Sequence, residues 1–510
     1  LLLNLALQLY TAVHERSLVN MADGGGKIPA EDGDQSDTKS SDDKTPRNVD
    51  LQRLMADAIA YKVSLDDISI ILRHGVEINQ KLDKGLRPIH YAAYYNYTEC
   101  IDFLLERGAD VNACDDVGYT PIHLCARRGN HIAMEKLIQH GAIINFCEGG
   151  SDITENARAL GYLTMEPLNI AIENNHKECV KMLLENGACT NNKYFMGYEI
   201  NLVALDNLDC LELLLKHGAD PKLFSRVGLT PLMKACREHQ IDAVRMLIKY
   251  GADINAQCPP RFEQKTALIF AIQSGNIVIT SILLENGAKC GKPPAYKYSA
   301  LHEAILKGRS DLCEMLLKWK ADVDERTDDG VTPLMLACST VGLKYRQEIV
   351  EILLKAGADV NAHADFESYT EPCFSPMVEY LRNVGSLEAF SIVLPLIRYG
   401  ANIHFTGDNS VYHRKDPFGV LPYVYILQNF WEMFEVLVDA GRKYDMAAIK
   451  RNTDMSVEQK SLLSYVGSKP RELKHLVRML LITNLYRGYQ DKVKELPLPK
   501  LIKSYLTFKI

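Results

Sequence analysis

The sequence predicts an all-α fold, a solenoid of stacked helix pairs followed by a small module of three helices. Three observations carry that expectation. A glycine-centred signal returns about every 33 residues, a Thr-Pro signal lies upstream of it, and an apolar helical stripe marks the last forty or so residues.

The glycine signal begins at Gly75 (HGVEIN), Gly108 (RGADVNA) and Gly141 (HGAIIN), 33 residues apart each time. It returns at Gly187, Gly218, Gly251, Gly287, Gly357, Gly400 and Gly441, and Lys320 holds the glycine place in one more copy, KWKADVD. Upstream lie RPIHYAA (87–93), TPIHLCA (120–126), TPLMKAC (230–236), TALIFAI (266–272), SALHEAI (299–305) and TPLMLAC (332–338).

Each upstream signal opens a short helix. Thr120, Thr230 and Thr332 suit the N-cap, and Pro121, Pro231 and Pro333 suit the first helical position, where a missing N–H costs nothing. Ala92, Ala126, Ala235 and Ala337 allow a neighbouring helix to come close. The second helix of each pair carries paired leucines, as in Leu104-Leu105, Leu183-Leu184, Leu283-Leu284 and Leu353-Leu354, and stops at a left-handed glycine. One pair cannot bury this stripe alone, so the copies must stack. His90, His123 and His302 are expected to hydrogen-bond the local backbone, since no second metal ligand lies at a suitable spacing.

These residues resemble the ankyrin repeat over roughly 51–445, about eleven copies, some irregular. The resemblance implies an ankyrin-repeat solenoid with β-turn fingers that binds other proteins. Three intervals exceed the period, with extra residues near 147–163, 363–374 and 405–418. Insertions in such arrays map to loops, commonly on the binding side. Aromatic side chains near those and neighbouring loops are the expected substrate-binding residues: Phe146, Tyr194, Phe195, Tyr198, Phe262, Phe366 and Tyr369. Tyr296 and Tyr298 belong to the same group. Packing between irregular repeats is the other role open to each.

After Gly441 the spacing ends. Ser468 and Pro470 are helix-start residues, and Leu473, Leu476, Val477, Leu480, Leu481 and Leu485 then form one apolar face. A short helix near 490–494, a Leu496-Pro497-Leu498-Pro499 turn and a last helix near 500–506 complete the module. About forty residues cannot hold a core alone, so this module must lean on the repeats or on a partner. It resembles a SOCS box, and the whole is similar to the ankyrin repeat and SOCS box family. That resemblance implies docking on Elongin C through Leu473, Leu476, Val477, Leu480 and Leu481, with Val477 where the family usually has Cys. It implies cullin-5 docking through Leu496, Pro497, Leu498 and Pro499.

The implied function is that of a substrate receptor in a ubiquitin ligase of Elongin B, Elongin C, cullin-5 and its RING protein, leading a target protein to ubiquitination and degradation. The alternative is a protein-binding adaptor that assembles no ligase. No catalytic residue, cofactor or metal is expected: the sequence holds no phosphate-binding loop, kinase set, nucleophile elbow or H-E-x-x-H. An enzyme with a site in the irregular region 359–441 is a third, distant reading.

Composition narrows the setting. With 47% apolar and 24% charged residues and a formal charge of -7, the 510 residues suit a long soluble array. Residues 22–50 hold eight acids against four bases, with almost no large apolar side chain, and are expected to be disordered. Residues 469–510 hold ten bases against three acids, spread at helical spacing, which fits a solvated helix face better than a nucleic-acid patch. Thirteen cysteines without a C-x-x-C point to reduced thiols in the cytoplasm, with the nucleus also open. The opening LLLNLALQLY reads as neither signal peptide nor membrane span. Met21 opens a polar stretch, and residues 1–20 are read as an upstream extension of the reading frame. No membrane or nucleic-acid partner is expected.

Overall fold

The computed structural model describes residues 47–146, 166–192, 198–364, 374–383, 390–406, 416–427 and 430–468, with single positions 493, 495 and 503 beyond. The fold is helical, with 23 α-helices and one pair of two-residue strands among the described residues. Two compact units hold these residues, one reaching Pro231 and including Lys249–Ala252, the other holding Leu232–Ile248 and continuing from Asp253.

The first unit contains five helix pairs: α1 (Arg47–Ala60) with α2 (Leu65–Arg73), α3 (Pro88–Tyr94) with α4 (Thr98–Leu105), α5 (Pro121–Arg128) with α6 (His131–Gln139), α7 (Pro167–Glu173) with α8 (Lys177–Glu185), and α9 (Glu199–Leu202) with α10 (Leu208–Lys216). First helices pack on first helices, α1 on α3, α3 on α5, α5 on α7, α7 on α9. Second helices do the same from α2 to α10. Helix α1 begins at Arg47, inside the segment whose composition suggests disorder.

Helices α11 (Pro231–Arg237) and α12 (Ile241–Lys249) follow. The second unit then holds α13 (Ala267–Ser274) with α14 (Ile277–Glu285), α15 (Ala300–Leu306) with α16 (Ser310–Lys318), α17 (Pro333–Ser339) with α18 (Arg346–Lys355), and α19 (Pro376–Asn383) with α20 (Phe390–Arg398). Strand β1 (His404–Phe405), α21 (Trp431–Ala440), β2 (Lys443–Tyr444), α22 (Met446–Arg451) and α23 (Val457–Ser468) complete it.

The local chemistry follows the motif. Thr120 and Thr332 are N-caps with proline next, and Ala92, Ala126, Ala235 and Ala337 are fully buried. Leu104, Leu183, Leu283 and Leu353 are also fully buried, each contributing about 2 kcal/mol of apolar burial. Most second helices end at glycines of positive φ, such as Gly108 at +85° and Gly357 at +92°, but Gly441 after α21 is extended at -60°, where the chain runs into β2. Lys320 adopts +61° at the same place without glycine's freedom. The three histidines make the expected local bonds: their Nδ1 atoms accept from Arg87 N at 3.1 Å, Thr120 N at 3.1 Å and Ser299 N at 3.3 Å.

Two features depart from the sequence reading. Ser468, expected to open the box helix, is the last residue of α23, because Leu463 and Gln459 of that helix are buried and carry the chain on from the repeats. The parallel pairing of β1 with β2, His404 beside Lys443 and Phe405 beside Tyr444, was not legible because two residues carry no period.

Candidate protein-binding surface

The fingers between helix pairs are stapled by one repeated side chain. Asn79 donates through Nδ2 to Gly108 O at 2.9 Å and accepts through Oδ1 from Asp110 N at 2.9 Å. Asn112 bonds Gly141 O at 3.3 Å and Ile143 N at 2.8 Å in the same way. In the second unit Asn255 holds Gly287 O and Lys289 N, and Asn361 holds Gly400 O and Asn402 N. A carboxamide is the one short side chain that offers donor and acceptor at this spacing. At Asp324 only the acceptor remains, taking Asp359 N at 2.7 Å.

The buried histidines tie first helices to the next finger. His90 Nε2 lies 3.2 Å from Tyr119 O and His302 Nε2 lies 3.2 Å from Val331 O. With Nδ1 accepting and Nε2 facing a carbonyl, both rings must be neutral and protonated on Nε2. Burial lowers the His90 imidazole and holds His302 down at about 4.

Of the expected substrate-binding aromatics, Phe146, Tyr198 and Phe262 lie among the described residues, and Tyr194, Phe195, Phe366 and Tyr369 lie outside them. Phe146 is half-buried with its ring 4.6 Å from that of His123. Tyr198 is half-buried at the N-cap of α9. In the second unit, Phe262 is half-buried under the Arg261 guanidinium, 4.8 Å from its centroid. Tyr296 is buried: its hydroxyl meets the Glu303 carboxylate and accepts from Gln273 Nε2 at 3.1 Å. Burial first, then Glu303, pushes that phenol up, so Tyr296 packs the finger.

Two of the three long insertions are closed at the base by an acid that the repeat pattern does not mark, and a third acid stands beside the other insertion. Glu166, 2% exposed, stands at the N-cap of α7 and accepts from Phe146 N at 2.9 and 3.0 Å, joining the two ends of 147–165. Its signal was available, since Glu166-Pro167 replaces the usual Thr-Pro. Glu379 accepts from Phe374 N at 3.3 Å beside 365–373, and burial pushes its carboxyl up.

Asp416, at the end of 407–415, accepts from His404 Nδ1 at 2.6 Å, Thr406 Oγ1 at 2.8 Å and Phe418 N at 3.0 Å. Burial opposes its ionisation, but these bonds outweigh burial and hold the carboxyl at about 2. Ser375 N donates to Pro417 O at 3.0 Å, so the described residues that follow 365–373 and 407–415 lie side by side in the second unit. Only the fold brings those two segments together, across about forty residues of sequence.

The expected docking residues Leu473, Leu476, Val477, Leu480, Leu481, Leu496, Pro497, Leu498 and Pro499 lie outside the described residues. Their segment is nevertheless matched as a whole. A family model described as ankyrin repeats (3 copies) matches overlapping stretches that run from 54 to 364, and one described as SOCS box matches 469–507. The chain belongs to the ankyrin repeat and SOCS box family.

The chain is similar to several known proteins over part of its length. Human ankyrin repeat and SOCS box protein 16 is 25% identical over 339 residues, 59% of this chain and 72% of the relative. Ankyrin repeat protein FPV031 of Fowlpox virus is 33% identical over 157 residues, 29% of this chain. That match spans 43% of the viral protein, less than half its length. Among solved structures, the ankyrin repeat domain of human ASB11 aligns at 23% identity and a TM-score of 0.38, over 47% of this chain and 99% of that one. In this ankyrin repeat and SOCS box protein, the repeats supply the described surface and the box follows it.

Proposed function

We propose that this chain is the substrate-recognition subunit of a ubiquitin ligase built from Elongin B, Elongin C, cullin-5 and a RING protein. The observation that carries the reading is the SOCS box match at 469–507, C-terminal to the ankyrin matches that end at 364. In this reading the array, 51–445, holds a target protein and the box, 468–510, holds the ligase. Catalysis is by proximity: lysines of the target are kept at high effective concentration near a charged conjugating enzyme, and this chain supplies no reacting group. Leu473, Leu476, Val477, Leu480 and Leu481 face Elongin C, and Leu496, Pro497, Leu498 and Pro499 face cullin-5. The setting is the cytoplasm, with the nucleus as a second compartment.

The test is co-purification of tagged protein from cells. Wild type is expected to bring down Elongin B, Elongin C and cullin-5, and Leu473→Ala to lose about 2 kcal/mol of Elongin binding with the repeats still folded. Absence of Elongin from the wild-type complex sinks the reading. Val477 favours one rival, an adaptor that assembles no ligase, because a β-branched side chain differs in shape from the cysteine expected there. Val477→Cys separates the two: a gain of Elongin from a low starting level supports the adaptor.

A further inference from the structure

At the C-terminal ends of α1, α3 and α5 the first unit gathers tyrosines and arginines that the repeat itself does not require. Tyr61 follows α1 and is 39% exposed, Tyr94 closes α3 with Tyr95 after it, and Arg127 and Arg128 are the exposed last residues of α5. The Tyr94 ring meets Tyr95 edge-on at 5.0 Å and lies 4.8 Å below the Arg128 guanidinium. Lys62 Nζ donates to Asn96 O at 3.1 Å and the Tyr97 hydroxyl to Val63 O at 2.7 Å, which seats the residues after α1, Tyr61 first among them, against those after α3.

Neither Arg127 nor Arg128 forms an ion pair among the described residues, whereas Lys136 on the next helix pairs with Asp102 at 2.9 Å. Asp57 in the last turn of α1 and Glu173 at the end of α7 are the acids at the matching ends of the flanking helices, and burial pushes both carboxyls up. Two guanidiniums with no ion pair among the described residues, beside three amphipathic rings, offer rigid apolar area with bidentate donors for a carboxylate.

We propose that Tyr61, Tyr94, Tyr95, Arg127 and Arg128 form the docking site for an acidic segment, carrying apolar side chains, of the target protein. The proposal rests on the reading that the array captures a protein, and it names the chemistry of what is captured. Carboxylates of the segment pair with Arg127 and Arg128, and its apolar side chains lie on the tyrosine rings. Binding therefore weakens as salt rises.

The test titrates the full chain with a short fluorescein-labelled peptide of alternating Glu and Phe, beside its twin with Lys for Glu. The acidic peptide is expected to bind about tenfold more tightly than its twin, and Arg127→Glu/Arg128→Glu to remove that preference while Arg73→Glu keeps it. Equal binding of the two peptides, or a preference that survives the double substitution, overturns the proposal. A second full-length variant, with the acids from Glu31 to Asp43 changed to Gln and Asn, addresses the chain's own acidic stretch. Unchanged affinity supports an external ligand. A rise of about tenfold places that stretch on the patch and overturns the proposal. Elongin co-purification from the same preparations reads the box separately, so a failed patch with Elongin retained leaves the ligase reading intact.

Discussion

The turn at Asn361 and the turn at His404 meet the same demand with different chemistry. Both must join one finger to the next. At Asn361 a neutral carboxamide does it alone, bonding Gly400 O and Asn402 N. At His404, one repeat later in the same register, the main chain takes over through β1 and β2, with Arg442 N on Ile403 O at 2.7 Å and Asp445 N on Phe405 O at 3.0 Å. The side chain is thereby released to hold Asp416 and close an insertion. In this one repeat backbone pairing replaces the carboxamide, whereas Asn145 and Asn361 keep the usual staple beside the other two insertions.

That contrast can be broken by experiment. The largest effect is expected for Asp416→Ala, which leaves the 7% exposed His404, Thr406 Oγ1 and Phe418 N without their acceptor and costs about 3 kcal/mol in urea denaturation. A loss near zero would mean that the strand pair alone closes the loop.

Acid separates the two kinds of staple next. His302 is held at about 4, below an unfolded value of about 6.5, so its contribution is complete above that value and is lost as pH falls toward 4. On the order of 2–3 kcal/mol is at stake. Asp416, held at about 2, contributes above an unfolded value of about 3.9 and is lost only as pH falls from there. Urea midpoints between pH 7 and 4.5 should therefore decline in wild type. A His302→Asn variant should start lower and decline less, and parallel declines would count against the histidine.

The smallest effect is a gain. Asp324→Asn restores the donor for Gly357 O that the carboxylate lacks, and about 0.5 kcal/mol of added stability is expected. The reverse exchange, Asn361→Asp, should cost more than that gain, because position 361 is buried and a charge there loses a donor. Equal and opposite shifts in the denaturation midpoint would show that burial plays no part.

Much of this molecule was legible in its residues. The 33-residue period, the Thr-Pro helix starts, the alanines of the packed faces and the left-handed glycines are local requirements, each met by a residue type that short-range sterics select. The role of His90 and His302 was legible for the same reason, since Nδ1 meets the N-cap N–H three residues back. The aromatic residues were less so. Tyr296 turned inward because Glu303, seven residues on, had to be satisfied in the interior, and Tyr94 turned toward Arg128 of the next repeat.

The sequence by itself determined that helix pairs stack and that a SOCS box follows them, because period and amphipathic spacing are properties of neighbouring residues. Tertiary structure alone decided that Glu166 and Asp416 close insertions, that Ser375 meets Pro417, and that tyrosines and arginines from neighbouring helix ends share a surface. Those arrangements depend on contacts between residues far apart in the chain, whose partners are set by packing rather than by any spacing along it.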